Sequence, residues 1–276
     1  MSADRRTTPF SGRVALATLR GQVTAEAFTT GDPARVAVPM ADLLAAPGGR
    51  RERQLLLGAA LRVIDRQAGH AFVQAAADGY CGWVAEAALG PAQQPTHWVA
   101  VPGSHLYSGP SVQAAEIAGL SLGARLRIVA DHDSFLETAE GAFVPRPHLR
   151  TLGDWATDQV TVAETLLGTP YLWGGNSRTG IDCSGLVQLA WSACGLPCPA
   201  DSDQQFAALG QVLPESEVPR RGDLVFWKGH VALVVDAARL IHANGQTMSV
   251  AYEGIATCIA RVAAAGEGAF LGMKRG

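Results

Sequence analysis

Gly168-Thr169-Pro170-Tyr171-Leu172-Trp173-Gly174-Gly175-Asn176, followed by Gly180-Ile181-Asp182-Cys183-Ser184-Gly185-Leu186, is the stretch on which the reading of this chain turns. Behind Cys183 come Leu186, Val187, Leu189, Ala190 and Trp191, a mostly apolar helical pattern that Gly195 is placed to stop. A cysteine in the first turn of a helix has the positive end of the peptide dipoles behind it, which favours thiolate over thiol. Upstream, residues 158–167 carry Val160, Ala163, Leu166 and Leu167 at helical spacing before Gly168. Downstream, Asp201-Ser202-Asp203-Gln204 has capping-box spacing ahead of a short helix ending near Gly210. Asp223-LVFW, His230-VALVVD, Arg239-LIHAN and Met248-SVAYEG then read as strands compact enough for an antiparallel meander. Helices followed by strands make the C-terminal half an α+β domain.

The N-terminal half has another texture. From Val36 to Leu149 the apolar runs are short and separated by turn residues, as in small antiparallel barrels. Two stretches echo each other: Gly79-Tyr80-Cys81-Gly82-Trp83-Val84 closes the first and Gly141-Ala142-Phe143-Val144 the second, with a seam at residues 90–95. The expected division is an N-terminal segment at 1–31, packing on the rest, barrels at 32–90 and 95–150, and the α+β domain at 155–276.

Composition narrows the function. A chain of 276 residues suggests two or three domains at roughly 150 residues each. A net charge of −3 argues against nonspecific nucleic-acid binding and against a polybasic membrane surface. Lys228 and Lys274 are the only lysines, so arginine carries nearly all the positive charge, a compositional bias and not an anion site. No run reaches the roughly 18 apolar residues of a spanning helix. Residues 14–19, broken by Thr18 and flanked by arginines, are too short for the core of a signal peptide, so the expected compartment is the cytosol. Five cysteines form no disulfide framework. Cys194-x3-Cys198 straddles Gly195 and Pro197, and no CxxC or HExxH motif occurs, so neither a metal nor another cofactor is expected.

Taken singly, a helix-start cysteine is most often a small buried hydrophobe, and a strand histidine is usually structural. Together, Cys183, His230 and His242 are the parts of nucleophilic acyl transfer: a sulfur, an imidazole to hold its proton, and a third group to orient that imidazole. A hairpin centred on Asp236 sets the two histidines directly opposite each other on one face. A two-residue turn at Ala237-Ala238 sets them on opposite faces.

YLWGG, GIDCSGLVQ, RRGDLVFW, GHVALVV and LIHAN, in this order over residues 158–276, resemble the NlpC-type cysteine peptidases, a papain-like family that cuts bacterial cell-wall peptides. The resemblance implies Cys183 as nucleophile, His230 as base, His242 as its orienting partner and Tyr171 as an aid to the oxyanion. It places Trp173, Asp182, Ser184, Asp201 and Ser202 along the substrate cleft. Two SH3-like barrels ahead of such a domain are similar to the arrangement in γ-D-glutamyl-L-diamino-acid endopeptidases. There the first barrel closes one end of the cleft and captures the free amine of an N-terminal L-alanine. Tyr80 and Glu52 match its substrate contacts, against the plainer readings of a barrel-packing aromatic and a surface acid. The implied substrate is a small muropeptide with lysine or diaminopimelate at its third position, met in peptidoglycan recycling. The alternatives are a papain-like amidase or acyltransferase on another substrate, and a non-catalytic wall-binding protein.

Overall fold

Asp182 ends the glycine-rich loop in extended backbone and caps the helix that follows, so α2 begins at the cysteine itself: Cys183–Ala193, closed by Cys194 and by Gly195 at φ +73°. This helix lies in the second of the two units into which a computed structural model, describing residues 4–276, divides the chain: Met1–Leu152 and Gly153–Gly276. Before it, α1 (Gln159–Glu164) is capped by Asp158, which accepts from Val160 N–H. After it, α3 (Ser202–Ala208) starts at Asp201, whose side chain makes no capping bond, so the capping-box spacing marks the helix start but not the interaction.

The larger sheet of this unit has six strands, beside a two-stranded one of Asn176–Ser177 and Gly180–Ile181. Leu224–Trp227, His230–Val234, Arg239–Asn244 and Ser249–Gly254 follow as antiparallel neighbours, as the meander reading expects. Two elements lie outside that reading. Helix α4 (Ile255–Ala265) carries Ile255, Cys258 and Val262 on its buried side and ends at Gly266 in the left-handed region. The last strand, Phe270–Arg275, returns to pair with Leu224–Trp227 and with Gln211–Val212. Helix α4 covers Val225, Trp227, Ala232, Val234 and Leu240. The alternate residues Val231, Leu233 and Ile241 are equally buried, and α1 and α2 pack against these strands. A central strand buried on both faces explains why HVALVV reads as a continuous apolar run.

The other unit is built of strands and short 3-10 turns. A seven-stranded sheet includes Asp32–Val36, Arg51–Leu56, Ala60–Gln67 and Cys81–Ala85; a five-stranded sheet and a three-stranded sheet follow. One pairing recurs. Asp32–Val36 pairs with Leu89–Pro91, which a 3-10 turn joins to Cys81–Ala85. His97–Val99 pairs with Leu149–Thr151, which a 3-10 turn joins to Phe143–Pro145. Near the N-terminus, Val14–Leu16 pairs in parallel with Ala27–Thr29, and Leu16 packs with Ile64, Phe72 and Trp83.

Candidate active site

The lead-in YLWGG is shaped by contacts that leave no room for side chains. A Cβ on Gly175 would stand 2.5 Å from the Gly180 carbonyl oxygen, and Gly174 has φ +68° while giving its N–H to Asp182 Oδ2 at 2.9 Å. Asp182 Oδ1 also accepts Gly185 N–H at 2.7 Å and the Ser184 hydroxyl at 3.2 Å. One carboxylate therefore ties the glycine loop to the first turn of α2 and fixes where the Cys183 side chain starts. Desolvation pushes that carboxyl above the ordinary aspartate range in spite of these bonds, and nearby Asp201 adds like charge.

Cys183 Sγ lies within electrostatic reach of the backbone N–H of Val231, the amide next to His230, and α2 packs against the His230 strand. The thiol is 8% exposed and its pKa is pushed up to about 12, by burial first and by Asp182 second. Backbone donors at Val231, Ser184 and Cys183 itself act in the opposite sense and lose. The expectation that the helix start yields a thiolate is thus corrected: in this pocket desolvation outweighs the dipole.

His230 Nε2 and His242 Nδ1 are 2.9 Å apart and hydrogen-bonded, with ring centroids 5.1 Å apart. The strands pair Leu233 with Ile241 and Val234 with Leu240, so the hairpin is centred on Ala237 and not on Asp236. Asp236 Oδ1 accepts the amides of Ala238 and Arg239, which sets the longer loop. A shift of one whole residue in the centre preserves parity. The rings share a face as diagonal neighbours, not directly opposite ones. Burial lowers both imidazoles, His230 to about 3 and His242 to about 4; His242 also depresses His230, and Glu253 pulls His242 partly back. Both rings are neutral near pH 7.

The other sequence-predicted residues of this unit divide by burial. Tyr171 is half-buried and within electrostatic reach of Cys183 and Asp182; burial lifts its phenol well above the ordinary range. Trp173, in the same loop, is exposed. Ser184 is buried beside Asp182, while Ser202 is half-buried at the start of α3. Sequence reading missed Gln205, whose amide donates to the Ser184 carbonyl at 2.9 Å and fastens α3 to the first turn of α2. It also missed Glu253 and Arg261. Glu253 Oε2 lies 3.2 Å from His242 Nε2, and Arg261 grips that carboxylate with two hydrogen bonds, of 3.0 and 2.8 Å. No local pattern marks either residue, because only strand pairing and the packing of α4 bring them to His242.

In the N-terminal unit, Glu52 is not a free surface acid. Its side chain is 7% exposed and paired with the Arg5 guanidinium, one of whose bonds is 3.0 Å long. The Tyr80 hydroxyl lies within electrostatic reach of the same guanidinium. Tyr80 is buried, with Arg53 over its ring at 5.3 Å and Arg53 in turn paired with buried Asp78. Glu52 and Tyr80, 28 positions apart in sequence, thus converge on Arg5.

Residues 168–261 match the model of the NlpC/P60 family, and residues 43–89 match that of the bacterial dipeptidyl-peptidase SH3 domain. The chain therefore carries a cysteine peptidase domain of the NlpC/P60 family together with a bacterial dipeptidyl-peptidase SH3 domain. Among curated relatives, the γ-D-glutamyl-L-lysine dipeptidyl-peptidase of Bacillus cereus is 27% identical over 239 residues, 72% of this chain and 69% of that protein. The enzyme of the same name from Bacillus subtilis is 29% identical over 184 residues, 59% of this chain and 60% of its own length. Among solved structures, an NlpC/P60 family protein from Bacillus cereus superposes with a TM-score of 0.75 at 22% identity, over 88% of this chain and 99% of that one, which shows a shared fold. No helix among the described residues is long and apolar enough to cross a membrane.

Proposed function

We propose that this protein is a cysteine endopeptidase that hydrolyses the amide between the γ-carboxyl of D-glutamate and an L-diamino acid, in small muropeptides with a free N-terminal L-alanine. The observation that carries this reading is the hydrogen-bonded His230–His242 pair on the strands against which α2, opened by Cys183, packs. The names of the two Bacillus relatives support the substrate class.

With a high-pKa thiol and a low-pKa imidazole, the resting pair is neutral. Attack is then general-base catalysed: His230 takes the thiol proton as sulfur bonds to the γ-carbonyl carbon. The oxyanion is received by backbone N–H at the start of α2, with the Tyr171 hydroxyl as a further donor. The C–N bond breaks as His230 returns the proton to the leaving amine. Water, deprotonated by His230, next attacks the thioester, and the thiol is restored. Asp182, Ser184, Trp173, Asp201 and Ser202 line the peptide's path, and Glu52 with Tyr80 receives the L-alanine ammonium. The SH3-like architecture is read as two barrels, at 32–90 and 95–150, after an N-terminal segment at 1–31 and before the peptidase domain at 155–276. A cytosolic enzyme with these preferences acts in peptidoglycan recycling.

The test is mass spectrometry of products from L-Ala-γ-D-Glu-L-Lys, its diaminopimelate counterpart and the N-acetylated forms. The expected products are L-Ala-γ-D-Glu and the free diamino acid, from free-amine peptides only. Comparable rates on acetylated peptide would remove the role assigned to Glu52, because a capped amine offers that acid no charge to pair with. Hydrolysis of a different amide would favour the amidase reading.

A further inference from the structure

His242 Nε2 is buried and has no hydrogen-bond partner among the described residues; its 3.2 Å contact with Glu253 Oε2 lies off the ring N–H direction. Even without a well-aimed bond, the carboxylate decides which form of the ring is favoured. A lone pair on Nε2 would face a negative oxygen at van der Waals distance, whereas an N–H there is attracted to it. Arg261 holds the carboxylate ionised and in place, and Glu267 pairs with the far side of that guanidinium at 3.4 Å.

We propose that Glu253 is a positioning residue that sets the tautomers of both histidines through His242, leaving His230 Nδ1 as the bare nitrogen that accepts the Cys183 proton. With its proton held on Nε2, His242 presents an unprotonated Nδ1 to His230. The 2.9 Å bond then requires His230 to donate from Nε2, and its remaining ring nitrogen is left free. Had His242 the opposite tautomer, it would donate to His230 Nε2. Neutral His230 would then carry its proton on Nδ1 and could not act as base. The device works only while both rings are neutral, as burial keeps them.

A bound cation is the competing reading, since His242, Glu253 and Cys258 bring ligand-type atoms within 4.8 Å of one another. The Arg261 guanidinium, 3.7 Å from Cys258 Sγ and bonded to Glu253, occupies that neighbourhood with positive charge and disfavours it.

The proposal rests on the peptidase reading for its kinetic arm but not for its spectroscopic one. In the full-length protein labelled with 15N-histidine, imidazole resonances are assigned from variants lacking each ring. Wild-type protein at pH 7 is expected to show both His230 and His242 neutral and protonated on Nε2. Glu253→Ala is expected to add Nδ1-protonated signal and to lower kcat on L-Ala-γ-D-Glu-L-Lys about 10- to 100-fold, with KM within twofold. Glu253→Gln, whose amide oxygen still accepts, recovers much of that loss. The proposal is overturned by a wild-type His242 protonated on Nδ1, by a folded Glu253→Ala with wild-type kcat, or by stoichiometric zinc in the purified protein. If the alanine variant does not fold, the wild-type tautomers and Glu253→Gln decide. Should the wild type carry the expected tautomers yet leave the peptide intact, the substrate reading fails and the tautomer assignment stands.

Discussion

Two cysteines sit in the first turns of helices in the same unit, and burial raises both to about 12. Cys183 opens α2 with 8% of its surface exposed, against the strand of a neutral histidine. Cys258, in α4, is fully buried and faces Glu253, already bonded by Arg261. Neither helix position nor thiol acidity separates them. What separates them is the strand of a neutral histidine on one side and 8% exposure against none, and on the function proposed above these differences make Cys183 the nucleophile and Cys258 a packing group.

The largest expected effect tests that contrast. Cys183→Ala should abolish turnover, a loss on the order of 10⁴-fold or more, while Cys258→Ala keeps kcat/KM within a few fold. Steady-state kinetics on the free-amine tripeptide with both variants is the measurement. A dead Cys258→Ala that is folded by circular dichroism would erase the distinction. His242→Ala should fall between them, losing about 100-fold in kcat, because orientation of His230 is only part of the catalysis.

The protonation state separates the sulfurs in a second way. A preformed thiolate–imidazolium pair alkylates at a plateau rate through neutral pH. The neutral pair expected here reacts with iodoacetamide ever faster as pH rises toward the thiol pKa, and Cys258 stays unlabelled in the folded protein. Mass-spectrometric labelling from pH 5 to pH 10 checks this, and a plateau near pH 6 would mean that the ion pair is already formed.

The same buried rings link stability to acidity. Unfolded histidine binds a proton near pH 6.5, whereas folded His230 and His242 do so only near 3 and 4. Between these limits the unfolded chain holds more protons, so stability present above pH 6.5 drains away as pH falls toward the folded values. The two rings together account for a loss on the order of a few kcal/mol. Urea denaturation at pH 7 and pH 4 should show a smaller loss for His242→Asn than for wild type.

The comparison also shows what could be read without coordinates. The GIDCSG helix start was legible because the glycine-rich lead-in and the apolar stripe behind Cys183 are local; the Asp182 cap that fixes it emerged only with the structure. Spacing left the shared face of His230 and His242 as one of two outcomes, since a hairpin centred on a residue keeps parity and a two-residue turn breaks it; the centre at Ala237 decides between them, and Asp236 sets it by capping two loop amides. Glu253 lay beyond reach for a different reason. It pairs with Leu240 across the strands and reaches His242 only in that register, while Arg261 arrives from a helix that sequence reading left unassigned. The thiol's protonation could not be foreseen from the helix dipole, since desolvation is contributed by the whole surrounding pocket.

The smallest effect concerns two arginines in the other unit that handle acids differently. Arg53 and Asp78 are a buried pair that braces the Tyr80 ring, and breaking it costs folding. Arg5 is 58% exposed, although the Glu52 it meets is only 7% exposed, so this contact is exchangeable where the other is structural. If the L-alanine ammonium takes the place of Arg5 on Glu52, then Arg5→Ala leaves a nearly buried carboxylate in greater need of a cation. KM for L-Ala-γ-D-Glu-L-Lys should fall about two- to fivefold with kcat unchanged, the scale of an exposed ion pair. A rise in KM would instead make Arg5 the brace that holds Glu52 in place for the substrate. Unchanged kinetics in both Arg5→Ala and Glu52→Gln would take the acid out of substrate recognition.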